Sequence, residues 1–92
     1  MRVAITEVTF SPSTAGDRRA GLLGWVTFVL NGAIKIDGVT LRRTRDGRLT
    51  LSYPARRDRD GVEHFVIRPL GDKARVEIER QVFLALGEGC MS

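Results

Sequence analysis

The sequence predicts an α+β domain, an antiparallel β-meander of about five strands with a C-terminal α-helix. Three observations carry that expectation. Apolar residues alternate at a spacing of two through most of the chain as far as Pro69, the period of a strand with one buried face. Asn31-Gly32, Asp46-Gly47 and Asp60-Gly61 fall between these runs, and such dipeptides supply the positive φ that tight hairpins require. From Asp72 the apolar spacing changes to that of a helix.

Val3, Ile5, Val8 and Phe10 make the first strand, with a change of phase between Ile5 and Val8 that marks a bulge. Ser11 to Arg19 reads as a loop, because turn-forming residues crowd it. Leu22 to Leu30 is apolar in both phases, the pattern of a strand covered on both faces. Trp25 within it reads as core, the alternative being a stacking platform for a base. Asn31-Gly32 turns the chain into a strand that starts with Ile34 and Ile36 and changes phase at Asp37-Gly38 before Val39 and Leu41. A bulge or kink is expected at that switch.

Asp46-Gly47 turns the chain again, and Leu49, Leu51 and Tyr53 return it. Pro54 ends this strand, since proline has no N–H for the ladder. A loop carrying Arg56, Arg57 and Arg59 leads to a last strand around Phe65 and Ile67. In the helix, Ala74, Ile78, Val82, Ala85 and Leu86 form one apolar stripe. Asp72 favours its N-terminus, and Gly87 and Gly89 are expected to stop it. Val76 and Phe83 lie on roughly the opposite side. They are expected to contact a second subunit or another partner, because one small sheet cannot cover both sides of one helix; the alternative is scattered surface apolars.

The chain has 92 residues and reads as a single domain, 1–92. A domain this small hides only roughly two-thirds of its unfolded surface, so dimerisation would add useful burial. Hydrophobic content of 42% with 28% charged residues describes a folded globular protein, not a disordered one. The lone cysteine, Cys90, excludes an intrachain disulfide. Met1 to Phe10 is too short and polar for a secretory signal, and no apolar run approaches the roughly 20 residues of a membrane span. A cytoplasmic location is expected.

Charge is the informative part of the composition. The net charge is +4, and arginine supplies all the basic residues except Lys35 and Lys73. From Arg42 to Arg59 there are seven arginines (42, 43, 45, 48, 56, 57 and 59) against two acids, Asp46 and Asp58. A basic segment on a near-neutral body suits a phosphate-rich partner, the plain alternative being a solvated surface. Guanidinium pairs phosphate oxygens bidentately and stacks on bases, so arginines held on loops suit nucleic acid. Arg42, Arg43, Arg45 and Arg48 extend that surface if the hairpin tip lies beside the Arg56 loop. Arg18 and Arg19 are further candidates. The helix carries Asp72, Glu77 and Glu79 among its basic residues, which argues against a recognition helix in the major groove.

Enzymatic patterns are missing. There is no Walker A sequence, no G-x-G-x-x-G, no H-E-x-x-H and no cysteine pair for zinc. Asp58-Arg59-Asp60-Gly61 fails as a calcium loop, because Val62 and Pro69 stand where oxygen ligands belong. Glu63 and His64 are adjacent and face opposite sides of a strand, and His64 reads as a half-buried packing residue. A non-enzyme without metal, cofactor or small-molecule substrate is expected.

Several segments resemble, in order and spacing, the stage V sporulation protein G (septation protein SpoVG) family of small bacterial regulators. Ile5 to Phe10 is similar to that family's opening strand. Val26 to Leu41 is similar to its central strand–turn–strand region. Tyr53-Pro54-Ala55-Arg56-Arg57, then Asp60-Gly61, then His64 to Pro69, are similar to its Met-Pro-Ser-Lys-Arg, Pro-Asp-Gly and Ala-His-Pro-Ile segments. The chain departs from the family at Asp58-Arg59, in the separation of His64 from Pro69, and in the Ser11 to Arg19 segment. The resemblance implies an antiparallel sheet with a C-terminal helix, a homodimer, and binding of DNA and RNA in gene regulation linked to septation, cell division and sporulation. It places nucleic-acid contact on Arg56 and Arg57. A protein-interaction module acting through a sheet edge or the Val76/Phe83 face is the other reading.

Overall fold

The computed structural model describes residues 2–89, so Cys90 lies outside the described residues. The elements are β1 (Ile5–Pro12), α1 (Ala15–Arg19), β2 (Leu22–Leu30), β3 (Ile34–Arg43), β4 (Leu49–Ser52), β5 (Ala55–Arg57), β6 (Glu63–Phe65) and α2 (Asp72–Gly89). β1 to β4 form a four-stranded antiparallel meander in chain order, and β5 and β6 pair only with each other. The architecture is α+β. The strand around Phe65 therefore leaves the meander and joins a separate arm. The segment between Ser11 and Arg19 also differs from a plain loop: β1 runs on to Pro12, and Thr14 caps α1 by accepting the Asp17 N–H at 3.1 Å.

Both phase changes in the strands are bulges. The β1–β2 register shifts between Thr6 and Thr9, where Glu7 takes φ of 51°. The β2–β3 register shifts between Val26 and Phe28, opposite Asp37 and Gly38. One extra residue in the strand returns the next apolar side chain to the core face. Asn31 and Gly32 both have positive φ, and the Ala33 N–H donates to the Leu30 carbonyl at 3.0 Å, closing the hairpin. Asn31 also holds the start of β1, exchanging two 2.7 Å hydrogen bonds with the Ala4 backbone.

The core lies between one face of the meander and α2. Val26, Phe28, Val39 and Leu41 from the sheet are fully buried, and Val82 meets them from the helix. Ala74, Ile78 and Leu86 complete the buried helical stripe. The helix runs through Gly87 to Gly89 rather than stopping at the first glycine. Trp25 stands 42% exposed on the other face of β2, so that strand is covered on one side and not on both. No helix among the described residues is long and apolar enough to cross a membrane.

Two polar residues of α2 fix the sheet edges. The Gln81 side chain accepts the Ile5 N–H at 2.8 Å and donates to the Val3 carbonyl at 2.7 Å. The buried Glu79 carboxylate accepts the Leu51 N–H of β4 at 3.3 Å and an Arg75 guanidinium hydrogen at 3.2 Å. Orphan backbone groups on two edge strands thus find partners on one helix. This also explains why no fifth strand joins β4. The outward N–H of Leu51 is already taken, and Pro54, which has no N–H, stands two residues beyond the strand.

Gly24 is the most tightly enclosed of the described glycines. An added Cβ would stand 2.3 Å from the Ser11 carbonyl oxygen and 2.7 Å from the Phe10 ring. Gly24→Ala is expected to cost about 3 kcal/mol by forcing β1 away from β2, lowering the midpoint of a thermal melt by roughly 12 °C or more. Gln81→Ala, which strands an N–H and a carbonyl of the β1 segment, is expected to cost about 2 kcal/mol in urea unfolding.

Candidate nucleic-acid interface

Arg42 aside, the arginines between 42 and 59 occupy two places, not one. The β3–β4 turn precedes β4, whereas β5 follows it, so these groups leave opposite ends of a four-residue strand. Both groups are presented by the same turn. In the first, the Thr44 N–H donates to the Arg48 carbonyl at 2.8 Å and the Gly47 N–H to the Thr44 carbonyl at 3.0 Å. In the second, the Asp58 N–H donates to the Val62 carbonyl at 2.9 Å and the Gly61 N–H to the Asp58 carbonyl at 3.0 Å. Each turn reads x-Arg-Asp-Gly, with Arg45 or Arg59 at its exposed corner.

At the first place α1 completes the cluster. The Arg43 N–H donates to the Gly21 carbonyl at 2.8 Å, which docks the end of α1 beside β3. Gly21 takes φ of 103°, and a Cβ there would stand 3.0 Å from the Arg43 carbonyl oxygen, so only glycine permits the approach. Arg18, Arg19, Arg43 and Arg45 consequently line one depression of about 350 Å³ with no acidic residue among its walls. Arg18 and Arg19 were legible only as charges at the end of a segment; the tertiary fold puts them against Arg43 and Arg45.

The second place is the β5–β6 arm. Its register pairs Ala55 with Phe65, Arg56 with His64 and Arg57 with Glu63. Side chains alternate across a strand, so Arg56 and Arg57 point to opposite faces. Arg56 shares its face with His64, and Arg57 shares the other with Glu63 and Phe65. His64 is not a packing residue. It is exposed, and its Nε2 lies 2.8 Å from Asp58 Oδ2. The other Asp58 oxygen accepts the N–H groups of Asp60 and Val62 at 2.9 and 3.0 Å. These bonds, led by that from His64, hold the Asp58 carboxyl below its ordinary value. Asp58 is thereby committed to the turn.

Among the described residues, the only ion pair made by the seven arginines is Arg48 with Asp46, at 3.2 Å. Arg42, Arg43, Arg45, Arg56, Arg57 and Arg59 stand on exposed positions without a carboxylate of the described residues within 4.0 Å.

A larger groove, about 720 Å³, runs beside β4 under the base of the arm. Arg42, Arg68 and Arg75 enter it from three different segments, with Glu63 and Asp72 as its acids. Arg75 is paired with Glu79 and lies 3.8 Å from Asp72, whereas Arg68 stands over the Phe65 ring, 5.6 Å from its centroid. Tyr53 lines the same groove. Its hydroxyl is buried without a hydrogen-bond partner among the described residues, and burial together with the nearby Glu79 carboxylate pushes its pKa up to about 12. Arg68, Arg75 and Phe65 carried no sequence signal as a site, because their convergence depends on how the arm and α2 leave the sheet.

Val76 and Phe83 separate. Val76 is 54% exposed, whereas Phe83 is half-buried against the core, and Leu84 rather than Phe83 is the second exposed apolar residue of the helix at 58%. Among the described residues no group of three or more histidine, cysteine or acidic side chains is placed to hold a metal ion. No protein-family model matches the chain, and no curated protein matches it.

The Asp58 contacts give a pH test. Its folded pKa is depressed, so its contribution to the turn is complete above the unfolded value of 3.8 and is lost as pH falls through the lower folded value. Amide NMR shifts of Asp60 and Val62 followed down in pH are expected to move together in that acid window, and Asp58→Asn is expected to abolish the shared transition.

Proposed function

We propose that this protein is a non-enzymatic regulator of the SpoVG kind that binds DNA or RNA through its arginines and acts as a homodimer in the cytoplasm. The observation that supports it is the set of guanidiniums left without carboxylate partners, above all the depression lined by Arg18, Arg19, Arg43 and Arg45. Four like charges around one hollow repel one another, and a phosphodiester backbone relieves that repulsion while accepting paired hydrogen bonds. Arg56, Arg57 and Arg59 on the arm supply further phosphate contacts. Regulation, with its link to septation and sporulation, is carried by the sequence resemblance alone.

The dimer has its own support. A hairpin of two three-residue strands is marginal in isolation. Val62 and Val66 on this arm are each more than half exposed, as are Val76 and Leu84 on α2. A second copy that covers such residues adds the burial that a small domain lacks. The same residues favour the other reading, a module that binds a different protein.

Salt dependence separates these readings. In fluorescence anisotropy with labelled DNA and RNA, affinity is expected to fall steeply with salt. Replacing Arg43 and Arg45 together by alanine is expected to flatten the slope by roughly two phosphate contacts. Arg56→Ala and Arg57→Ala, made singly, are expected to differ, because their side chains leave opposite faces of the arm. Salt-independent binding, or none at low salt, moves the assignment to the protein-interaction module.

A further inference from the structure

We infer that the groove beneath the arm selects a single strand of nucleic acid and stacks an unpaired base against Phe65 and Arg68. This rests on the nucleic-acid reading and adds to it the kind of strand that is bound. The two walls of the groove differ in chemistry. The arm wall carries Phe65, which is 52% exposed, and Glu63 on the same strand face. The rest of the lining includes the outer end of β3, where Arg42 has no carboxylate partner among the described residues, and the start of α2, where Asp72 and Arg75 lie 3.8 Å apart. Arg68 joins them, its guanidinium above the Phe65 ring. A nucleotide has the matching polarity, with a flat apolar base at one end and a phosphate at the other.

A base entering the groove meets the guanidinium plane of Arg68 or the half-exposed ring of Phe65, and both are stacking surfaces. Glu63 repels phosphate and accepts hydrogen bonds from exocyclic amino groups, which sets the base toward the arm. Arg42 then takes the phosphate, and Arg57, farther out on the same arm face, lies on the path of the next one. The groove, about 720 Å³, has room for an unpaired base with its sugar and phosphate. A duplex keeps its bases stacked and paired, so none is free to lie on the Phe65 ring. The phosphate cradle at Arg43 and Arg45 shares no residue with this groove, so backbone attraction and strand selection are separable by mutation.

The test compares one labelled oligonucleotide, as a single strand and as its duplex, by anisotropy across a salt series. Phe65→Ala is expected to weaken single-strand binding roughly tenfold with an unchanged salt slope, since stacking releases no counterions, and to leave duplex binding as it was. Arg42→Ala is expected to weaken single-strand binding and to flatten its slope by about one phosphate. Circular dichroism checks the fold, and Phe65→Leu, which keeps the apolar contact and loses the ring, is expected to reproduce the loss. Unchanged single-strand affinity in both Phe65 variants, with loss in the Arg43/Arg45 variant, overturns the groove and leaves nucleic-acid binding standing. Equal weakening of duplex and single strand overturns the selection. Failure of the unmodified protein to bind either oligonucleotide overturns both.

Discussion

Gln81 and Glu79 leave helix α2 about 200° apart, one toward the β1 edge of the meander and the other toward β4. Each takes up backbone groups that an edge strand would otherwise leave open. The buried stripe of Ile78, Val82 and Leu86 lies between them and fills the concave face of the sheet. The sheet must therefore curl far enough for both edges to reach a single helix. The three register shifts, at Thr6–Thr9, Leu22–Gly24 and Val26–Phe28, and the close contact of Phe10 with Gly24 accommodate that curvature.

Closing the β4 edge has a consequence at its far end. With the Leu51 N–H bound to Glu79 and Pro54 next in line, the chain does not add another strand and departs as the β5–β6 arm. The arm is tied at its base by the Val66 N–H, which donates to the Pro54 carbonyl at 2.9 Å, and at its tip by the Asp58 network. Between these ties its apolar residues remain open. The groove is what separates the arm from the sheet, so its walls come from β3, the arm and the start of α2, segments far apart in sequence.

The arginines follow the same logic. A linear stretch with a high positive balance divides between two ends of β4 because a strand lies in the middle of it. What joins Arg43 and Arg45 is not Arg56 but α1, docked through Gly21. Within the arm, strand alternation separates Arg56 from Arg57. Adjacency along the chain is thus a poor guide to shared surface wherever the backbone is extended.

The sequence by itself determined the α+β class, the bulges between Ile5 and Val8 and at Asp37-Gly38, the Asn31-Gly32 hairpin and the stripe from Ala74 to Leu86. Each rests on a short-range rule: side-chain period, the φ preference of Asn-Gly, or a phase slip within one strand. The tertiary structure alone decided that Trp25 faces outward, that Phe83 packs inward while Leu84 does not, and that Phe65 belongs to an arm instead of the sheet. These outcomes depend on which face α2 covers and on Glu79 closing the β4 edge. Both are contacts between residues far apart in the chain, and no local spacing encodes them.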